Sequence, residues 1–399
     1  MPTLTVLLLA VAAIPFIYYL IAIYSCARFF SRPVAGTARP AAGGGPADGS
    51  GRPEFTPPVS ILKPIRGLDP DAYENFASFC RQDYPEYEIV FCADSNDPSL
   101  PAIERLARDF PQCHIRVLFG AGRRATNDKV AKLARLVNEA KYEYVVISDS
   151  DVRARPDYLR SVVAPLADPK IGAVTCFYVP AEDGNFTDRL QSVGMMADFY
   201  PGIVVAWQLD GIKFALGPTI ATTRERLAGF GGYAAIENRP ADDLLVGRLI
   251  ADQGYEVELL RYPVATVADF QSLRELIQKR LRWIVVMRHM RPWGHLGLLL
   301  TQGLPWSLAA MALHPTAQTA ATYLGIYLAL RTILTGIVYR GLRQPHFWRC
   351  IWMIAPWDAV AFAIWVASFA RRSVRWRGSD YYIRDGVLVP VAPAGIVEQ

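Results

Sequence analysis

The chain predicts an α/β domain built on a largely parallel sheet, with apolar membrane helices at both of its ends. Three observations carry this expectation. From Val59 to about Phe270, apolar β-rich runs alternate with helical patterns, the order that produces a parallel sheet. Thr3 to Cys26 is almost wholly apolar and, at roughly 20 residues, long enough to cross a bilayer. Strongly apolar sequence returns after Trp293 and continues to Phe369.

The first apolar run lacks a basic start and exceeds an ordinary signal core, so residues 1–27 read as a retained anchor rather than a signal peptide. Arg28, Arg32 and Arg39 follow it and put the next domain in the cytosol by the positive-inside tendency. Residues 33–58 are rich in Pro, Gly and Ala and have hardly any large apolar side chain, so 28–58 reads as a linker. In the domain, 59–270, strands are expected at Val59–Pro64, Tyr87–Ala93, His114–Phe119, Tyr144–Ser148, Ile171–Tyr178 and Lys213–Thr222. Helices fit at Pro101–Phe110, Asp128–Lys141 and Asp243–Gln253. In such a sheet ligands gather beyond the carboxyl ends of the strands, where the strand order reverses, and Asp94 and Asp149 each follow a strand directly.

Residues 271–295 open with the capping-box pattern Ser272-Leu-Arg-Glu275. Leu273, Leu276, Ile277, Leu281, Ile284 and Met287 then recur at helical spacing, with Arg274, Gln278 and Arg282 on another face: a basic amphipathic helix suited to a membrane surface. Within the C-terminal membrane region, 296–370, the candidate spans are Leu296–Leu313, Thr316–Val338 and Phe347–Phe369, before a basic juxtamembrane tail, 371–399. Simple alternation leaves Arg371, Arg372, Arg375 and Arg377 outside, against the positive-inside tendency. Pro356 interrupts the last candidate, so a re-entrant or broken pair that returns the tail to the cytosol is the expectation that removes the conflict.

Composition narrows the function. The 42 Lys and Arg exceed the 37 Asp and Glu by too little, and too diffusely, for a nucleic-acid partner; several arginines flank apolar runs, where anionic lipid attracts them. The six cysteines have no CxxC spacing and no zinc-like Cys/His cluster, which fits a reduced, cytosol-facing domain. Nothing in the sequence points to an obligate protein partner.

Four signatures follow in order: Asp94, Ser148-Asp149-Ser150-Asp151, Asp242-Asp243, and Arg280-Leu281-Arg282-Trp283. Asp149 and Asp151 flank one small residue after a strand, and hard oxygen ligands with open positions suit Mg²⁺ or Mn²⁺ shared with substrate phosphates; a solvated acidic turn is the competing account. Asp94 can accept from a uracil imide or ribose hydroxyls, or can simply form a turn. Asp243 either caps a helix or serves as the base that deprotonates an acceptor hydroxyl. Arg282, within the Arg280–Trp283 segment, can hold phosphate oxygens bidentately while Trp283 walls an acceptor pocket; interfacial anchoring accounts for the same pair. Together they describe an enzyme that binds a nucleotide diphosphate through a metal ion and passes its sugar to a lipid.

The chain resembles the ceramide glucosyltransferases, a membrane-bound branch of the GT-A nucleotide-sugar transferases. The matching segments are SILKPIRGLDP (60–70), DYPEYEIVFCADSNDP (83–98), NDKVAKL (127–133), SDSDVR (148–153), GIKFALG (211–217), ADDLLVGRLI (241–250) and RLRW (280–283). The resemblance implies a GT-A, Rossmann-like domain and an inverting transfer from a UDP-sugar, with UDP-glucose the expected donor. The acceptor would be the primary hydroxyl of ceramide or a similar lipid at the cytosolic face of a bacterial inner membrane, and the protein a multi-pass one. It also implies roles by position: Asp94, Lys129 and Arg280 toward the nucleotide, Asp149 and Asp151 at the metal, Asp243 as base, and Arg282 with Trp283 at the donor and acceptor end. Lys279 stands where the family usually has Gln or Arg, and Tyr200-Pro201 where animal relatives have His-Pro; Asp151, often missing from those relatives, is present. Two rival readings remain: transfer of an N-acetylhexosamine or another sugar to a hopanoid-type lipid, and a non-enzymatic cation-binding membrane scaffold.

Overall fold

A computed structural model describes residues 3–32, 54–122, 125–181, 184–267, 270, 272–376 and 379–391. Most of the expected linker, 33–53, lies outside them, as do Arg39 and Arg377. The chain forms two compact units, one of 33–182 and 211–269, the other of 1–32, 183–210 and 270–399.

The first unit is an eight-stranded mixed sheet in the order β3-β2-β1-β4-β7-β6-β8-β5. The strands are β1 Val59–Pro64, β2 Tyr87–Ala93, β3 His114–Phe119, β4 Tyr144–Ser148, β5 Val152–Arg153, β6 Ile171–Pro180, β7 Thr219–Thr223 and β8 Glu256–Thr266. Strands β3, β2, β1 and β4 run parallel, whereas β7 enters antiparallel beside β4. The chain winds from β1 out to β3 and then crosses to the other side of β1 to form β4, so the reversal point falls between β1 and β4. These strands are nearly continuous apolar runs because helices cover both faces. Phe76, Phe79, Phe91 and Tyr158 pack together in the core, with edge-on ring contacts at 5.1 Å (Phe76–Phe91) and 5.6 Å (Phe79–Tyr158).

Three expectations need correction. The strand expected at Lys213–Thr222 is only Thr219–Thr223, with Ile212 and Leu216 forming isolated bridges before it. The sheet is more mixed than the alternation implied. Strand β8 was not anticipated, because Glu256, Glu258, Arg261 and Pro263 break the apolar pattern. The β6–β8 ladder tolerates Pro263 through an irregularity: Cys176 pairs with Leu260 but Tyr178 with Val264, so the proline sits where no ladder amide is required.

The second unit is mainly helical. Thr3–Ser31, Ala317–Gly341 and Phe347–Ala370 are each long and apolar enough to cross a membrane; Pro292–Thr301 and Gly303–Leu313, bent by 58°, are together a fourth candidate. Tyr323 Oη donates to Leu9 O at 2.7 Å, and Gly341 packs directly against the Phe30 ring, so Ala317–Gly341 runs parallel to the first span. Arg331 Nε donates to Asp358 Oδ2 at 2.8 Å and Tyr327 Oη to the same oxygen at 2.8 Å, a satisfied ion pair inside this unit. The amphipathic helix forms at Leu273–Met290 and is capped by Ser272, whose side chain accepts from Glu275 N. Its buried side is Leu276, Arg280 and Val285, whereas Leu273 and Met287 of the expected apolar stripe are exposed. The expected tail is partly folded. Strands β9 Ser373–Trp376, β10 Ser379–Arg384 and β11 Val387–Pro390 form an antiparallel sheet whose Val374, Ile383 and Leu388 cluster with Val285.

Candidate active site

The site is built where β1, β2 and β4 end. Strand β4 stops at Ser148, and the turn carrying Asp149 is fixed from below by Lys63 of β1. The Lys63 ammonium donates to the Asp149 main-chain oxygen at 2.9 Å and to Ser148 Oγ at 3.3 Å, over the Phe79 ring at 3.7 Å. It is 0% exposed. Burial drives its pKa down to about 7, against the opposing pull of Asp149, Asp151 and Asp69.

The helix Asp128–Glu139 starts at Asn127, whose side chain accepts from Val130 N, and its first turns carry two lysines. Lys132 Nζ donates to Ile65 O at 2.9 Å and pairs with Asp94 Oδ2 at 3.2 Å and Asp128 Oδ2 at 3.1 Å. Asp94, anchored in this way, still exposes 49% of its side chain. Lys129 Nζ lies 2.7 Å from Asp149 Oδ1 and 3.4 Å from Asp242 Oδ2. Burial acts to depress its pKa, but Asp149 and Asp242 outweigh burial and hold it above the ordinary lysine value. One helix end thus joins three of the carboxylates singled out by sequence, Asp94, Asp149 and Asp242.

Asp243 arrives from the helix Asp242–Asp252, entered through Ala241 in the left-handed region at φ 55°. That helix approaches closely because Gly247 packs on backbone: a Cβ there would lie 2.3 Å from the carbonyl carbon of Phe214. The segment it touches continues to Gly217, where an added Cβ would meet Asp243 Oδ2 at 3.1 Å and Asp149 Oδ2 at 3.6 Å. Both carboxylates therefore face one small space beside the Gly217 Cα. Burial, and next the neighbouring Asp242, raise the Asp243 pKa to about 6, against the Lys129 ammonium. Tyr233 is 1% exposed, and its hydroxyl has no hydrogen-bond partner among the described residues. The sequence reading missed Lys63, Lys132 and Tyr233; only the apolar flanks of Lys63 hinted at a buried ammonium.

Among the described residues no three of His, Cys, Asp and Glu converge as a complete metal shell. A hard cation at Asp149 and Asp151 would need its remaining oxygens from a bound phosphate. Carboxylate oxygens suit Mg²⁺ or Mn²⁺ by type, and Asp149 already carries a cationic partner in the Lys129 ammonium.

The remaining predicted residues lie in the helical unit. Arg280 is 7% exposed, between Trp283 and Trp357, each 4.9 Å from its guanidinium carbon; its Nε donates to Gln191 Oε1 at 2.9 Å. Its surroundings are those of a packing residue rather than of a phosphate ligand. Trp283 contacts Phe199 at 5.8 Å, and Arg282 is half-buried.

The profile of Glycosyl transferase family 21 matches residues 7–389. Ceramide glucosyltransferase 3 of Caenorhabditis elegans is 24% identical over 237 residues, 59% of this chain and 52% of the relative. Beta-monoglucosyldiacylglycerol synthase of Synechocystis sp. is 27% identical over 278 residues, 65% of this chain and 55% of the relative. The chain spans about half the length of the curated relatives it matches. A mannosyltransferase from Pyrobaculum calidifontis, solved with GDP-Man and Mn²⁺, shares the fold at a TM-score of 0.56 and 21% identity, over 92% of this chain and 99% of that one.

Proposed function

Because the chain belongs to Glycosyl transferase family 21, we propose that it transfers glucose, with inversion, from UDP-glucose to the primary hydroxyl of a ceramide-like lipid. The observation that supports this reading is the shared approach of Asp149 and Asp243 to Gly217, which brings the proposed metal ligand and a carboxylate of raised pKa to one point. At neutral pH Asp243 is ionised. It takes the proton of the acceptor hydroxyl as that oxygen attacks the anomeric carbon opposite the departing UDP, and the sugar inverts. Asp149 and Asp151 would hold the divalent ion, which when bound offsets the charge growing on the diphosphate. Asp94 receives the uracil or ribose, and Arg282 with Trp283 serves the donor and acceptor end.

The acceptor has a second reading, diacylglycerol, favoured by the cyanobacterial relative that covers 65% of this chain. Purified protein in detergent, given UDP-glucose, Mn²⁺ and either ceramide or diacylglycerol, separates the two by mass spectrometry of the products. Absence of any glucolipid with either acceptor sinks the proposal.

The protein is proposed to cross the membrane three times, with the catalytic domain cytosolic. Thr3–Ser31 and Ala317–Gly341 are parallel crossings, and the bent pair within 292–313 supplies the return. Ile354–Ala370 instead runs alongside Leu273–Met290: Arg280 meets Trp357, and Arg288 Nη2 donates to Arg371 O at 2.6 Å. Such a segment dips toward Arg331 through Asp358 and returns to the cytosolic side, so Arg371, Arg372 and Arg375 obey the same charge rule as Arg28, Arg32, Arg340 and Arg343.

A further inference from the structure

Three lysines stand at the candidate site, two of them on the Asp149 turn, and their partners differ in kind. Lys63 and Lys132 are each anchored to a main-chain oxygen, of Asp149 and Ile65 respectively, and both are wholly buried. Among the described residues Lys129 reaches carboxylates alone, at 2.7 Å to Asp149 Oδ1 and 3.4 Å to Asp242 Oδ2, and keeps 15% of its side chain exposed. A flexible four-carbon stem bearing a point charge can exchange one anionic partner for another without disturbing the backbone. The ammonium engages Asp149 Oδ1 at 2.7 Å while Oδ2 of the same carboxylate faces Gly217, and two cations on one carboxylate repel.

We infer that Lys129 is an internal counter-cation that occupies the Asp149 carboxylate in the ligand-free protein and yields it to a divalent ion only when a nucleoside diphosphate offers the ammonium other oxygens. This rests on the metal-dependent reading of the site. Metal and nucleotide then bind with positive linkage, and reciprocity requires each to tighten the other by the same factor. Asp242, buried behind Lys129, keeps the ammonium close during the exchange.

The test measures Mn²⁺ binding to the full-length protein in detergent, by electron paramagnetic resonance of free Mn²⁺, with and without UDP. Wild type is expected to bind Mn²⁺ weakly alone and about tenfold or more tightly with UDP. Lys129→Met keeps the stem and removes the charge. It should bind Mn²⁺ alone about tenfold more tightly than wild type, bind UDP more weakly, and lose most of the linkage. Equal Mn²⁺ affinity of wild type with and without UDP overturns the inference without any variant, and so does a Lys129→Met protein that binds Mn²⁺ no better than wild type. Asp149→Asn separates the underlying reading: if it binds Mn²⁺ as wild type does, the metal site itself is misassigned. If Asp149→Asn loses Mn²⁺ while Lys129→Met is unchanged, only the role of Lys129 fails.

Discussion

The Lys63 ammonium donates to the Asp149 main-chain oxygen at 2.9 Å, so a side chain from β1 sets the height of the turn that follows β4. Replacing it by Met leaves that oxygen and Ser148 Oγ without their buried donor. Lys63→Met should cost about 2 kcal/mol of stability and lower kcat/KM about tenfold or more through displacement of Asp149. Denaturant melts and kinetics of one preparation check both. Unchanged kinetics would mean that the turn holds itself.

Asp243, with its pKa raised to about 6, should make kcat/KM fall as pH drops below that value, one proton per site. The sign for stability is opposite. A carboxyl that is harder to ionise folded than unfolded takes up a proton on folding, so its favourable contribution is present below the unfolded value near 3.8 and is lost as pH rises through about 6. Asp243→Asn should therefore be about 100-fold or more less active, yet more stable at pH 7 by about 1–2 kcal/mol. A variant both inactive and less stable would make Asp243 a structural residue.

Gly217→Ala adds a methyl between the two carboxylates, at 3.1 and 3.6 Å, in a backbone conformation any residue adopts. The protein should fold with a change of about 1 kcal/mol or less while turnover drops about 10- to 100-fold. Gly247→Ala, whose Cβ would meet backbone at 2.3 Å, should instead lower the melting temperature and expression.

The Arg331–Asp358 pair should show strong non-additivity. Removing either partner leaves a buried charge and should cost about 3–5 kcal/mol, whereas Arg331→Met with Asp358→Leu should cost less than the two single changes summed.

If the tail is cytosolic, a cysteine replacing Arg384, exposed on β10, should resist an impermeant maleimide in intact spheroplasts, and one replacing Leu313 should react. Labelling of both before lysis would overturn the three-crossing arrangement.

Much of the sheet was legible. Strands β1 to β4 fall on the expected residues because each is a short apolar run stopped by a polar turn, and local pattern suffices for such strands. The individual site carboxylates were legible for the same reason, as polar residues at strand and helix ends. Their partners were not. Lys63, Lys132 and Gly247 make these contacts with residues 32 to 86 positions away, and no local period encodes a contact of that range. Arg280, placed toward the nucleotide by family resemblance, lies buried between two indoles, an orientation that tertiary packing fixes and no local pattern encodes. The tail looked merely basic because its strands are short and interspersed with arginine.

Strands β9 to β11 cover Val285 of a helix that is made more than 80 residues earlier in translation. At ordinary ribosomal speed the interval is on the order of ten seconds. Throughout it that helix must keep its apolar side against lipid or a chaperone. The β9–β11 sheet thus closes over that helix late, and a nascent chain released before it is made would leave the seam open to aggregation and quality-control proteases.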